Sequence, residues 1–174
     1  MLKLRFALLF VVVSTGLALQ ARASAPPPVG SLAPNFTLTS NEGKQVTLSA
    51  LRGQWVVLYF YPKDFTSGCT TEAHNFQRDL PQYEKAHAVI VGVSVQDVES
   101  HKSFCTKEGL HFRLLADIHG DVSKTYDSTI PVIGLSARHT FLIDPSGKIV
   151  QEYLKVNPGV HSQEVLADLA RLQR

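Results

Sequence analysis

The stretch YFYPKDFTSGCTTEAHNF, Tyr59 to Phe76, holds one of the chain's two cysteines, at the point where an apolar run breaks at Pro62 and helical periodicity begins. A thiol on the first turn of a helix sits among amides with no partner inside the helix and at the positive end of its dipole, a setting that favours the thiolate. The thiolate is the nucleophilic form of cysteine. A lone cysteine is also commonly a small buried hydrophobe, and Glu72 can serve simply as a first-turn acid that complements the dipole. Gly68, Thr70, Thr71 and Glu72 give Cys69 polar neighbours rather than a greasy setting, but local chemistry alone leaves both readings open.

The elements that must position Cys69 follow from periodicity. FTLTS and QVTLSAL flank the turn signal NEGK and read as a hairpin over Phe36 to Leu48. WVVLYFY (Trp55 to Tyr61) and AVIVGVSV (Ala88 to Val95) are continuous apolar runs, as expected of strands buried on both faces. Between them a helical pattern runs from about Cys69 to His87, with a kink or restart expected at Pro81. Asp97 caps a helix ending at Glu108 before Gly109, FRLLAD (Phe112 to Asp117) is a third strand, and a short helix follows around Asp121 to Tyr126. HTFLID, PSGK and KIVQEYL form a second hairpin, and Ser162 to Leu172 is an amphipathic closing helix. The fold class is α/β, a central sheet covered by helices, and its functional crevice is expected beyond the carboxyl ends of the buried strands, where Tyr61 hands over to Cys69.

The first residues read as an address. Lys3 and Arg5 precede an apolar core from Phe6 to Leu19, and small residues stand at Ala21 and Ala23, the layout of a secretory signal peptide over residues 1–23. Cleavage after Ala23 is favoured over Ala25, which would put Pro26 just past the cut. It takes 23 of the 174 residues and leaves 151, one domain's worth, and it turns 17 basic residues against 15 acidic into 14 against 15 by removing Lys3, Arg5 and Arg22. The remaining charge gives no reason to expect nucleic acid or an anionic membrane as partner. Residues 24–34 form a Pro-rich extended arm, and the domain is expected over residues 35–174.

PKDFTSGCT, Pro62 to Thr70, matches the peroxiredoxin signature P-x-x-x-T-x-x-C, and YFYPKDFTSGCTTEA resembles the peroxiredoxin Q, or bacterioferritin comigratory protein, subgroup. The resemblance extends through SLAPNFTLTSNEGKQVTLSALRGQWVVLYFYPKD and RHTFLID to the closing helix. It implies a thioredoxin-like fold with a central mixed sheet, an N-terminal hairpin and flanking helices. Cys69 would be the peroxidatic cysteine, Thr66 would present its hydroxyl to the peroxide, Pro62 would shield the site, and Arg138 would hold the thiolate and the charge developing on the leaving oxygen. Taken from its position alone, Arg138 reads as a strand-end surface charge.

Many relatives of this subgroup carry a second, resolving cysteine five residues after the first, where this chain has His74. The other thiol is Cys105, on the helix after the next strand, and the resemblance implies that it resolves the Cys69 sulfenic acid, with local unwinding on oxidation. Its plainer reading is a core residue beside Phe104. His74, His101, His111 and the other histidines lack the paired spacing of a metal site, so no metal and no bound cofactor are expected. The resemblance implies a thiol peroxidase acting on hydrogen peroxide or organic hydroperoxides and reset by a thioredoxin-like or other dithiol reductant. The expected setting is a bacterial periplasm, with a monomer and no stable membrane association after cleavage.

Two rivals stand beside it. A disulfide exchanger would want C-x-x-C where this chain reads TSGC. A structural Cys69–Cys105 staple in an exported domain would be worth roughly 3 to 4 kcal/mol by chain entropy.

Overall fold

The computed structural model describes residues 25–174, so the leader expected over residues 1–23 lies outside the described residues. The N-terminal hairpin pairs β1 (Thr37–Ser40) with β2 (Gln45–Thr47). There follow β3 (Trp55–Phe60), α1 (Ser67–Lys85), β4 (Ala88–Ser94), α2 (Val98–Glu108), β5 (Arg113–Ala116) and α3 (Asp121–Thr125). The chain closes with β6 (Thr129–Ile130), β7 (Leu135–Ser136), β8 (Thr140–Ile143), β9 (Ile149–Tyr153) and α4 (His161–Leu172). Seven strands form one mixed sheet in the order β2-β1-β5-β4-β3-β8-β9.

The parallel centre, β3 with β4 and β4 with β5, is the part whose sequence is continuously apolar, because crossover helices cover it. One face buries Tyr59, Phe76, Tyr83, Phe104, Phe112, Val165 and Leu169 under α1, α2 and α4. The other buries Leu58, Phe60, Val91, Leu115, Tyr126 and Phe141. Gly92 is fixed by this packing: a Cβ there would stand 2.6 Å from Leu114 Cδ2 and 2.7 Å from the ring of Tyr59, its partner in register on β3. The Tyr59 ring lies across the space a side chain would take, and stacks on Tyr61 at 5.4 Å between centroids.

Three elements depart from expectation. α1 runs unbroken through Pro81 instead of restarting there. Pro81 is exposed and forfeits the bond to the carbonyl of Gln77, while buried Phe76, Asp79 and Tyr83 anchor the helix on both sides of it. The Pro-rich arm is docked: Gly30 and Ala33 donate to the carbonyls of Ile149 and Gly147, and Ile149 donates back to Ser31. The β6–β7 pair was not anticipated, since two-residue strands carry no periodicity.

Candidate active site

The antiparallel pairing of β8 on β3 builds the site. Tyr59 stands opposite Thr140 and the Phe60 amide donates to the His139 carbonyl at 2.7 Å, so Arg138, just ahead of β8, is delivered to the carboxyl end of β3. There the chain turns through Pro62–Phe65 into α1. Thr66 is the extended N-cap residue, its carbonyl accepting from the Thr70 amide, and Cys69 is the third helical residue.

Arg138 Nη2 donates to Cys69 Sγ at 3.2 Å while Nη1 pairs with Glu72, one turn further along the same helix face. The guanidinium thus bridges the thiol and the carboxylate with separate nitrogens, a fork that a lysine cannot reproduce. Gly68 lies beside it, and a Cβ there would come to ordinary contact with Nη2 at 3.4 Å. Burial pushes the Glu72 carboxyl up to about 7, against the pull of Arg138 in the other direction. Its Oε1 has no hydrogen-bond partner. Asn75 donates to the carbonyls of Pro158 and Gly159, tying the loop ahead of α4 to this end of α1.

Pro62 is half-buried and Thr66 is exposed. The Thr66 hydroxyl does not cap α1; it donates to the Lys63 carbonyl at 3.0 Å, which leaves its oxygen as an acceptor at the helix start. Of the residues singled out from sequence, Cys69, Arg138 and Glu72 are in direct contact or share one partner, and Thr66 and Pro62 flank them on the same loop.

Cys105 sits in the last turn of α2, inside the apolar cluster beside Phe104. Burial pushes its thiol up to about 12, with Asp64 and Glu42 adding in the same direction. Both cysteines are free thiols. His74, at the position where many relatives carry the second cysteine, pairs with Glu108 at 2.9 Å.

Sequence reasoning missed the polar group between the loop and α2. Asp64 accepts from the Tyr61 hydroxyl and the Ser100 hydroxyl, each at 2.7 Å, and from His101 Nδ1 at 2.9 Å. Burial alone would raise its carboxyl, but the His101, Ser100 and Tyr61 hydrogen bonds together hold it below the ordinary value. No local pattern could announce this, because Asp64 and His101 are distant in sequence and meet only when α2 packs against the loop.

The AhpC/TSA family matches residues 29–152. The chain belongs to that family. The Peroxiredoxin Bcp of Xanthomonas campestris is 42% identical over 142 residues, covering 78% of this chain and 88% of the relative. A cysteine-to-serine mutant of the Xylella fastidiosa peroxiredoxin Q superposes with a TM-score of 0.79 at 36% identity, over 84% of this chain and 98% of that one. The bacterioferritin comigratory protein of Xanthomonas campestris, studied for alkyl peroxide reduction through a trapped intermediate and ligand complexes, superposes at 0.76 with 39% identity over 80% and 92%. Peroxiredoxin Q of that organism has also been solved with serine in place of either of two cysteines. The fold is therefore thioredoxin-like and the chain is a thiol-dependent peroxidase of the atypical two-cysteine peroxiredoxin type.

Proposed function

We propose that Cys69 is the peroxidatic residue and Cys105 the resolving one, in a cycle that reduces hydrogen peroxide and organic hydroperoxides. The observation that carries the reading is the 3.2 Å hydrogen bond from Arg138 Nη2 to Cys69 Sγ. A guanidinium fixed beside the sulfur stabilises its thiolate, and it stands ready for the negative charge that appears as the O–O bond breaks. The Cys69 thiolate attacks one peroxide oxygen, an S–O bond forms, and the other oxygen leaves as alkoxide or hydroxide and takes a proton to become alcohol or water. The Thr66 oxygen accepts from the peroxide O–H, and Pro62 limits access of water. The Cys105 sulfur, as thiolate, then attacks the Cys69 sulfenic acid, the S–S bond forms and hydroxide leaves as water. An external dithiol supplies the two electrons that restore both thiols.

The Xanthomonas relatives support this reading in two ways, one by its stated alkyl peroxide reduction and the other by its pair of substituted cysteines. The layout of residues 1–23 supports export, in a bacterium to the periplasm. The test is peroxide consumption by the pre-reduced protein in a single turnover, with products weighed by intact mass spectrometry. Wild type is expected to lose two hydrogens, Cys69→Ser to consume nothing, and Cys105→Ser to gain one oxygen at Cys69. Equal slow reaction of wild type and Cys69→Ser would leave the disulfide as a structural staple.

A further inference from the structure

Asp64 and His101 take no part in the chemistry above, yet they are 2% and 0% exposed. A buried carboxylate–imidazole hydrogen bond is weak evidence for stability, because desolvation offsets much of the attraction, and the best attested use of such buried polar pairs is to fix how two elements register. Here the two elements carry the two thiols. Asp64 lies five residues before Cys69, on the loop, and His101 lies one helical turn before Cys105, on the same face of α2.

We propose that the Asp64–His101 pair is a lock that clamps the peroxide loop to the Cys105 face of α2, positioning both segments for peroxide attack and setting the rate at which Cys105 reaches oxidised Cys69. The inference rests on the resolving role given to Cys105.

Three further observations support the lock. Both ring nitrogens of His101 face acceptors, Nδ1 the Asp64 carboxylate at 2.9 Å and Nε2 the Leu115 carbonyl at 3.2 Å, so the ring joins the loop to α2 and α2 to β5. Ser100 and Tyr61 complete the carboxylate's partners from opposite sides of the joint. Next to it Phe65, held at a φ of 61°, sets its ring edge-on to Phe104 at 5.1 Å, beneath the Lys107 ammonium. A non-glycine residue in that region of backbone space is unusual and persists only when its surroundings hold it there. The thiol of Cys105, pushed up by burial, becomes an effective nucleophile only when α2 shifts and admits solvent. The lock must therefore hold during the first step and release before the second.

The experiment mixes the pre-reduced full chain with excess hydrogen peroxide and follows intact mass over time for wild type, Asp64→Asn, His101→Gln, the double variant and Ser100→Ala. The expected result is that loss of two hydrogens speeds up about tenfold in Asp64→Asn and in His101→Gln, with no further gain in the double variant, and less in Ser100→Ala. Gain of the first oxygen does not accelerate, and at high peroxide less of the doubly oxygenated sulfinic product accumulates. Unchanged hydrogen loss in every variant overturns the lock, and so does a slowing of both steps that merely follows a fall in melting temperature. Hydrogen exchange on oxidised wild type decides the matter if variants do not fold. Protection is expected to fall together over residues 62–69 and 98–105, and full protection of α2 beside a formed disulfide overturns the proposal. A wild type that never loses two hydrogens instead refutes the resolving role itself, and the lock falls with it.

Discussion

Cys69 and Cys105 are nearly equally hidden, at 2% and 6% exposure, and both belong to the same apolar cluster, yet their surroundings are opposites. Cys69 opens a helix and takes a hydrogen bond from a guanidinium; Cys105 ends a helix, where the dipole disfavours an anion, and its charged neighbours are the acids Asp64 and Glu42. The exposed fraction therefore does not by itself decide reactivity in this molecule. Burial, with two acids adding to it, holds Cys105 as a thiol, whereas the nearly equally hidden Cys69 has a guanidinium aimed at its sulfur.

The comparison breaks most visibly in the first turnover. Cys69→Ser is expected to abolish peroxide consumption, whereas Cys105→Ser should keep the rate of the first step within about twofold, since Cys105 takes no part until the O–O bond is broken. Rapid-mixing peroxide assays on the two reduced variants check this. Removing the charge that distinguishes the sites comes next. Arg138→Met should slow the first step by about 10²- to 10³-fold, the scale of losing one preorganised donor, and Arg138→Lys should recover little because one ammonium cannot serve both Sγ and Glu72.

Glu72 sharpens the contrast through pH. Its folded-state value, about 7 against an ordinary 4.5, means that the folded protein holds this proton more tightly than the unfolded chain does. The associated stabilisation is complete below the ordinary value and is lost as pH rises through about 7. Denaturation across that range should show wild type losing on the order of 1 to 3 kcal/mol relative to Glu72→Gln, which carries no such proton. The first-step rate should show a matching inflection that the variant lacks. The smallest effect is expected at Gly68→Ala, whose methyl meets Arg138 Nη2 at 3.4 Å. At that distance the methyl is in ordinary contact and the guanidinium need not move, so the first-step rate in the rapid-mixing assay should stay within about twofold of wild type.

Much of this arrangement was legible in the residues. The continuous apolar runs at Trp55 and Ala88 mark buried parallel strands, the Asp97 cap accepts from Ser100 as its type predicts, and Gly109 ends α2 in the left-handed conformation at φ 64°. The signature around Cys69 pointed to the chemistry. Arg138 is the instructive residue, because taken alone it reads as a strand-end charge; only the register of β8 against β3 brings it to the sulfur. The Asp64–His101 contact was hidden for the same reason, since a tertiary pairing between two otherwise ordinary polar residues leaves no periodic trace. The opening arm showed its extended character but not its partner, because backbone bonds to Gly147 and Ile149 are indifferent to side-chain type.

That arm bears on how the molecule behaves in a crowd. A sheet whose outermost strand offers unpaired amides and carbonyls is a template on which neighbouring chains can add strands and aggregate. Here one border strand, Gln45–Thr47, is only three residues long, and the opposite border is met over Gly147–Ile149 by the chain's own residues 30–33. In the proposed cycle α2 shifts to bring Cys105 to Cys69, which would expose apolar surface at every turnover. One border that is short and another that is met at its first residue leave less of a strand for neighbours to join, and deleting residues 25–33 should show the cost as light scattering that grows with the number of turnovers.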